Sequence, residues 1–493
     1  MDSSRSSGIL LHPTSLPGKF GIGDLGPEAF RFVTWLEAAG ARMWQVLPLG
    51  PVGYGESPYQ LFSAFAGNPM LLSPEVLADR GWLSPADLEA PPFREDRVEF
   101  ETVVPWKAAL LRRAHAAFLR QASADQDEFA AFVGENSSWL DPYARFMALK
   151  EAHGGAVWTE WRPGAAPAAA EVDFHRFLQF EFFRQWNALR GECAARGIRI
   201  MGDIPIYVAH DSADVWSHPQ LFRLDARGYP VVVAGVPPDY FSATGQLWGN
   251  PLYRWDEEAA RAYPWWIERM RAALRLVDLV RMDHFRGFQA YWEVPAGEKT
   301  AERGRWVEGP GAALFHALQA ALGPLPIVAE NLGVITPEVE AIRREFHFPG
   351  MAILQFAFGK DAQAPGFRPH NYEQALFAYS GTHDNDTVAG WWRSEGAGDS
   401  TRTPDDIRKE KAFARSYLHT DGADMPWTLI RTLMASVAGT VVFPAQDILS
   451  LGSESRMNIP SVPSGNWRWR LTPGALTPTH AARLKEMTGL YER

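Results

Sequence analysis

Residues 276–287 read Leu-Val-Asp-Leu-Val-Arg-Met-Asp-His-Phe-Arg-Gly, a run of apolar residues that ends in charged ones. Short, largely apolar runs that stop at Asp or Gly are typical of strands buried in a parallel sheet. Side chains two residues apart on a strand point to the same side, so Arg281 and Asp283 are expected to lie together. The stretch therefore predicts a buried strand with an ion pair near its carboxyl end.

Seven further runs of this kind are spread along the chain. With the first one, they cover residues 8–12, 43–47, 198–205, 276–283, 326–331, 351–356, 376–381 and 440–444. Helical spacing follows several of them, in residues 27–39, 174–196, 263–275, 337–346 and 427–438. Strands that alternate with helices favour a parallel sheet covered by helices, and eight of them predict an α/β fold of the (β/α)8 TIM-barrel type.

The spacing between runs predicts the domain organisation. We expect a single catalytic barrel over residues 1–493, with a largely helical insertion at 69–171 after the second strand. Residues 235–253 are predicted to form an active-site lid loop, and residues 296–325 an insertion between strands 4 and 5, with a loop at 300–311. Only residues 445–493 follow the eighth run, so no separate C-terminal β-domain is expected.

The composition restricts the classes of partner. The 48 Lys and Arg against 58 Asp and Glu give a net charge of −10, which disfavours nucleic acid and anionic membrane surfaces but not neutral sugars. No apolar run reaches the ~20 residues of a membrane span, and the N-terminus has no signal-peptide pattern. Cys193 is the only cysteine, which agrees with a reducing compartment. We therefore expect a cytoplasmic protein; the oligomeric state stays open.

Three carboxylic acids follow predicted strands. They are Asp283, Glu330 in Ile-Val-Ala-Glu-Asn-Leu-Gly (327–333), and Asp384 in Ser-Gly-Thr-His-Asp-Asn-Asp (380–386). A single Asp after a strand is more often a helix cap or a loop residue. A barrel, however, brings consecutive strand ends to one rim, where barrel active sites lie. Three such carboxyls predict a site.

Glycoside transfer explains why several carboxyls would be needed. One must attack the anomeric carbon, and a protonated one must donate to the leaving oxygen, so their pKa values must differ. Arg281 can keep Asp283 ionised. Glu330, after another apolar strand, is then the better candidate for a raised pKa and the acid/base role. Asp384 would bind sugar hydroxyls, with a neutral His383 as its partner.

Longer strings carry a family resemblance. Arg-x-Asp, then Glu, then His-Asp, each at a strand end and in that order along the chain, resembles the α-amylase clan. More specific strings resemble the amylomaltase or 4-alpha-glucanotransferase family, glycoside hydrolase family 77. They are Gly-Ile-Leu-Leu-His-Pro-Thr-Ser-Leu-Pro (8–17), Ser-Pro-Tyr-Gln (57–60), Gly-Asp-Ile-Pro-Ile-Tyr-Val (202–208), Gly-Val-Pro-Pro-Asp-Tyr-Phe-Ser-Ala-Thr-Gly-Gln-Leu-Trp-Gly-Asn-Pro (235–251), Arg-Met-Asn (456–458) and Asn-Trp-Arg-Trp (466–469).

The resemblance implies an enzyme that transfers α-1,4-glucan segments between maltooligosaccharides, without metal or organic cofactor. It implies that Asp283 is the nucleophile, Glu330 the acid/base and Asp384 the transition-state stabiliser. The implied substrate-binding residues are Tyr59, Asp203, Asp239, Trp248, Arg281, His284, His383 and Asn458, with Trp248 and His284 on the acceptor side. Asn331 departs from the family string, which has Asp after the catalytic Glu; this affects the interpretation of a subsite contact, not of the acid.

Other patterns have weaker functional interpretations. Residues 21–26, Gly-Ile-Gly-Asp-Leu-Gly, match the dinucleotide fingerprint, but they do not directly follow a strand, so we interpret them as a turn before a helix. His210, Asp211 and His218 lack a common metal-ligand spacing. Two other functions compete: a hydrolase of the same clan, with identical catalytic residues, and a non-catalytic glucan-binding protein. The latter would not need three catalytic carboxyls.

Overall fold

A computed structural model describes residues 5–121, 124–238, 244–396, 403–460 and 462–493. Its β-strands are β1 (Ser6–Leu10), β2 (Met43–Gln45), β3 (Arg199–Pro205), β4 (Val232–Val236), β5 (Gln246–Pro251), β6 (Leu279–Asp283), β7 (Ala290–Pro295), β8 (Arg305–Glu308), β9 (Ile327–Ala329), β10 (Gly350–Ile353), β11 (Leu376–Tyr379) and β12 (Thr440–Pro444).

The α-helices alternate with these strands over most of the chain. They are α1 (Pro27–Ala38), α2 (Pro74–Asp79), α3 (Phe100–Phe118), α4 (Ala124–Ala152), α5 (Ala169–Ala195), α6 (Ala213–Ser217), α7 (Trp255–Ala260), α8 (Pro264–Leu276), α9 (Arg286–Gln289), α10 (Gly311–Leu322), α11 (Pro337–Glu345), α12 (Val388–Arg393), α13 (Pro404–Leu418), α14 (Met425–Met434), α15 (Ala445–Ile448) and α16 (Pro478–Leu490). Short 3-10 helices cover Pro13–Ser15, Tyr54–Glu56, Pro69–Leu71, Pro85–Leu88, Trp158–Glu160, Pro219–Leu221, Leu354–Phe358, Ala364–Phe367, Pro369–Asn371 and Ser453–Ser455.

Eight parallel strands form the predicted barrel. Their order in the sheet is β10-β11-β12-β1-β2-β3-β6-β9. The circle is completed where the Ala329 N–H donates to the Pro349 carbonyl oxygen at 2.9 Å, between the ends of β9 and β10. Each of the eight predicted runs overlaps one of these strands, so the (β/α)8 prediction is confirmed.

Apolar composition explains why these runs become barrel strands. β1 and β12 are buried at every residue, because one face packs inside the barrel and the other lies under helices. The predicted fourth run began at Leu276, but the structure assigns this residue to the last turn of α8. Periodicity cannot separate the end of a buried helix from the start of a buried strand when both are apolar.

A second sheet lies outside the barrel. It is antiparallel, has four strands, and runs in the order β5-β4-β7-β8. Residues 235–253 therefore contain part of a hairpin, and interpreting 300–311 as a loop was wrong, because β8 occupies part of it. The β5 sequence, Gln-Leu-Trp-Gly-Asn-Pro, has the Gly, Asn and Pro of a loop. Pairing with β4 supplies the backbone hydrogen bonds that its composition does not predict.

Two further regions surround the barrel. Residues 69–171 contain α2, α3 and α4, and the long helix α5, which starts at Ala169, packs along α4. Residues 445–460 and 462–493 contain no strand, only an isolated bridge between Trp469 and Arg97. None of the helices in the described part of the chain combines the length and apolar composition needed to cross a membrane.

The approach of β1 to β2 gives a test of barrel packing. A Cβ atom on Gly8 would lie 2.8 Å from the Met43 Cβ and 2.9 Å from the Met43 carbonyl oxygen. Gly8→Ala should therefore lower the free energy of unfolding by about 1–3 kcal/mol through overpacking. Gly134→Ala is the matched control, because it lies in α4 with no atom within 4 Å of the new methyl group.

The control should be stabilising by about 0.5–1 kcal/mol, since alanine is the better helix former. Urea unfolding of both variants and the parent protein measures these changes. A Gly8→Ala protein as stable as the parent would show that β1 and β2 can separate without cost.

Candidate active site

The interior of the barrel holds an arginine between two carboxylates. Asp203 on β3 and Arg281 on β6 are direct partners in the strand register, so their side chains share a face. Arg281 Nη1 lies 2.6 Å from Asp203 Oδ2, and its Nη2 lies 2.8 Å from Asp283 Oδ1. Although burial opposes the charge, the two carboxylates raise the pKa of Arg281 well above its usual value. The predicted ion pair is present.

Asp203 and Asp283 differ in their access to the cleft. The Asp203 side chain has 0% exposure, whereas that of Asp283 is 27% exposed. Tyr59 donates its hydroxyl to Asp203 at 3.0 Å. Burial raises the pKa of Asp203, and the short bond to Arg281 opposes this shift. Asp203 therefore holds Arg281 and Tyr59 in place, and Asp283 is the partner of Arg281 that solvent can reach.

Glu330 follows β9 and lies in a different environment from Asp283. Its carboxylate accepts two backbone N–H groups, from His284 at 2.8 Å on Oε2 and from Leu332 at 3.0 Å on Oε1. Burial raises the pKa of Glu330 to about 8; the Arg281 charge lowers it and the Asp283 charge adds to the rise. Glu330 is therefore a carboxyl that can keep its proton near neutral pH.

Asp384 lies in the loop after β11, where the C-terminal segment holds it. Asn458 Nδ2 donates to Asp384 Oδ1 at 2.7 Å, and the Asp384 side chain is 46% exposed. His383 Nε2 is 3.4 Å from Asp384 Oδ2 and 2.9 Å from the Tyr59 hydroxyl. Burial lowers the pKa of His383, so the ring is neutral. Asp384 is thus held by Asn458 and lies beside His383, with nearly half of its side chain exposed.

The β4–β5 hairpin brings one predicted aromatic residue against the loop after β6. The Trp248 ring meets the His284 ring edge to face, with centroids 4.7 Å apart. Burial lowers the pKa of His284 to about 4, which keeps its imidazole neutral beside Asp283. Asp239, Tyr240 and Phe241 lie outside the described residues.

Comparisons with known proteins agree with this geometry. A family model described as 4-alpha-glucanotransferase matches residues 11–477. The 4-alpha-glucanotransferases of Thermus thermophilus and Synechocystis sp. are 52% and 50% identical, over 100% of this chain and 100% and 99% of theirs. The chain belongs to the 4-alpha-glucanotransferase family. The amylomaltase of Streptococcus agalactiae, solved in complex with acarbose, superposes with a TM-score of 0.93 at 37% identity, over 99% of both chains.

Membership of this family confirms the resemblance seen in the sequence strings and the predicted 4-alpha-glucanotransferase activity. It leaves the chemistry of individual side chains to be argued from their surroundings. Among residues whose positions are described, no three His, Cys, Asp or Glu side chains converge as a metal site would require.

Asn331, the departure from the family string, points into the scaffold. Its Oδ1 accepts the Met351 N–H at 2.8 Å, and its Nδ2 donates to Glu340 Oε1 at 2.7 Å. The amide therefore joins the end of β9 to β10 and to α11. An Asp here would bring a second carboxyl against Glu340, whereas Asn bonds to both partners without a new charge. Asn331 therefore binds the scaffold next to Glu330 through both of its side-chain groups.

Two residues of the site were not singled out from the sequence. Arg456 Nη2 donates to the Asp384 carbonyl oxygen at 2.6 Å, and the Trp467 ring lies 5.9 Å from those of both Tyr59 and His383. Both lie in irregular backbone after β12, so no strand end predicts them. The family strings at 456–458 and 466–469 contained them and were the available signal.

The buried Glu330 makes stability depend on pH. Its folded pKa of about 8 lies above the ordinary value of 4.5, so between pH 5 and 8 only the folded state keeps the proton. Stability contributed by this proton is lost as pH rises through that range. We predict that the unfolding free energy of Glu330→Gln, relative to the parent, rises by at least ~1 kcal/mol from pH 5 to pH 9.

Urea unfolding at pH 5, 7 and 9 measures this difference, and Glu340→Gln is the control. Although burial opposes it, hydrogen bonds from Arg343 and Asn331 lower the pKa of Glu340, so its titration lies below pH 5. The difference in unfolding free energy between Glu340→Gln and the parent should stay constant from pH 5 to pH 9. A constant difference for Glu330→Gln as well would mean that this carboxyl is already ionised at pH 5.

Proposed function

We propose that the chain transfers α-1,4-glucan segments to the 4-hydroxyl of an acceptor glucan or glucose by a retaining double displacement. Asp283 attacks the anomeric carbon while Glu330 gives its proton to the leaving oxygen, which produces a covalent glycosyl intermediate. Glu330 then takes the proton of the acceptor hydroxyl as that oxygen attacks the same carbon and the bond between this carbon and Asp283 breaks. Asp384 stabilises the positive charge that develops on the sugar.

One observation supports this proposal: the carboxyls of Asp283 and Glu330 lie in different environments. Asp283 lies 2.8 Å from a guanidinium, which favours a carboxylate nucleophile. Glu330 is buried, and its raised pKa suits a proton donor at neutral pH. Two carboxyls held in such different environments are typical of an acid and nucleophile pair.

The choice of transfer over hydrolysis requires an acceptor site. Water at about 55 M competes for the intermediate, and only an oriented acceptor with a high effective molarity outcompetes it. The contact of Trp248 with His284, next to the nucleophile, supports an acceptor platform at this point. We propose that residues 235–253 act as the lid over it, with Asp239 among the substrate contacts. The names of the relatives favour transfer over the hydrolase alternative.

The remaining proposals concern partners and location. Maltooligosaccharides are the proposed substrates, and the acarbose complex of the Streptococcus agalactiae amylomaltase supports an α-glucan cleft. The net charge of −10 supports the absence of a nucleic-acid partner. Cys193, the single cysteine, is buried, which supports a cytoplasmic location.

The function is tested directly with maltotriose. Transfer should convert maltotriose into glucose and a ladder of longer maltooligosaccharides, with the α configuration in the first products. Asp283→Asn should reduce this turnover by at least ~10³-fold, because the nucleophile is lost, while glucan binding is retained. Chromatography measures the products, and calorimetry with maltotriose measures binding.

Products limited to glucose and maltose would indicate a hydrolase instead. Activity of Asp283→Asn close to that of the parent would contradict the nucleophile assignment. β-Anomeric first products would contradict double displacement.

The acceptor platform is tested by Trp248→Ala. The substitution should lower transfer far more than hydrolysis, by roughly 10-fold in their ratio, because the acceptor loses its stacking surface while water does not. Disproportionation of maltotriose measures transfer, the production of new reducing ends measures hydrolysis, and the two together give the ratio. Trp139→Ala is the matched control: its ring packs on Phe183 of α5, with centroids 5.7 Å apart, and its loss should leave the ratio unchanged. An unchanged ratio in Trp248→Ala would place acceptor selection elsewhere.

A further inference from the structure

We propose that Arg286 is a positioning residue for the acid/base carboxyl, and that the insertion strand β8 acts on Glu330 through it. The inference rests on the role proposed for Glu330. It concerns how the carboxyl is aimed at the leaving oxygen, not which residue supplies the proton.

Two separate loops hold the Glu330 carboxylate. The His284 N–H comes from the loop after β6, and the Leu332 N–H comes from the loop after β9. Each loop supplies one donor to one carboxylate oxygen. The direction of the carboxyl therefore depends on the position of the two loops relative to each other.

Arg286 joins these loops. It lies two residues after His284 at the start of α9, and its Nη1 donates to the carbonyl oxygen of Val334, two residues after Leu332. Residues 331–336 contain no helix or strand, and Val334 is 53% exposed. Asn331 ties the first residue of this segment to the scaffold, so the Arg286 bond holds its middle.

The guanidinium of Arg286 is held in turn by the insertion. Its Cζ lies 3.7 Å from the centroid of the Trp306 ring on β8, and the residue is only 7% exposed. A cation over an indole face is stabilised by the ring quadrupole, more strongly when water is excluded. Trp306 also packs edge to face on Trp292 of β7, with centroids 5.3 Å apart.

The backbone fixes β8 against α9 as well. The Gly309 N–H donates to the Gln289 carbonyl oxygen at 2.8 Å, and a Cβ on Gly309 would lie 2.3 Å from the Phe288 carbonyl oxygen. There is no space for the two segments to approach further. A continuous series of contacts thus runs from the insertion through Arg286 and Val334 to the N–H that binds Glu330.

The consequence is specific to proton donation. In the first step Asp283 forms a bond to the anomeric carbon, the bond to the leaving oxygen breaks, and the Glu330 proton moves to that oxygen. A misplaced acid slows this step for a sugar leaving group. Fluoride leaves as an anion without a proton, so α-maltosyl fluoride is insensitive to the position of the acid in the same step.

The experiment compares kcat/KM for maltotriose with kcat/KM for fluoride release from α-maltosyl fluoride, since both report on the first step. Arg286→Met keeps the aliphatic stem and removes the donors. We expect it to lower the maltotriose value by roughly 10- to 100-fold and the fluoride value by less than about 3-fold. Arg286→Lys and Trp306→Ala should show the same selectivity with smaller losses, and Trp306→Phe should restore the parent values.

Two controls separate the possible failures. Arg5 donates to the carbonyl oxygens of Met434 and Ser436 at the opposite end of the barrel, so Arg5→Met should not distinguish the two substrates. Glu330→Gln should show the largest selective loss. If Glu330→Gln lowers both values equally, the role proposed for Glu330 is wrong. If it is selective but Arg286→Met lowers both equally, or neither, the positioning role is overturned. Arg286→Lys and Trp306→Ala decide the question if Arg286→Met does not fold.

Discussion

The site depends on one buried guanidinium. Arg281 is 4% exposed and bonds to Asp203 and Asp283 at once, so a charge that would be costly in an apolar barrel is compensated on both sides. The side chain of Asp203 has no exposed surface, whereas that of Asp283 is 27% exposed, so one carboxylate faces the scaffold and the other is open to solvent. The strand register of β3 with β6 sets this arrangement, because it places Asp203 beside Arg281.

The Arg281 charge has a different relation to Glu330 than to Asp283. It has no guanidinium bonded to it, and burial raises its pKa although the Arg281 charge acts in the opposite direction. Asp283 and Glu330 therefore differ through what lies next to them, not through their residue type alone. Neutral histidines complete the contrast, since burial lowers the pKa of both His284 and His383 and adds no competing charge.

The sequence predicted the parts that follow from strand periodicity. Apolar runs located all eight barrel strands, and the residues at their ends included Arg281, Asp283 and Glu330. The second sheet was missed, because β5 has the composition of a loop and gains its structure only from pairing with β4. Arg456 and Trp467 reach the site from irregular backbone, where neither the strand nor the helix periodicity applies. The partners of Asn331 also do not follow from the sequence, since they depend on where β10 and α11 lie.

The barrel alone does not produce the environment of Glu330. A strand end on a barrel rim is open to solvent, yet this carboxyl is only 8% exposed. The segments that cover and orient it come from the loops after β6 and β9, and Arg286 joins these loops under Trp306. Elements inserted between barrel strands therefore determine how the Glu330 carboxyl is covered and oriented, while the strands determine which residues meet. On the positioning role proposed for Arg286, strand β8 would act on Glu330 through the position of the Leu332 N–H.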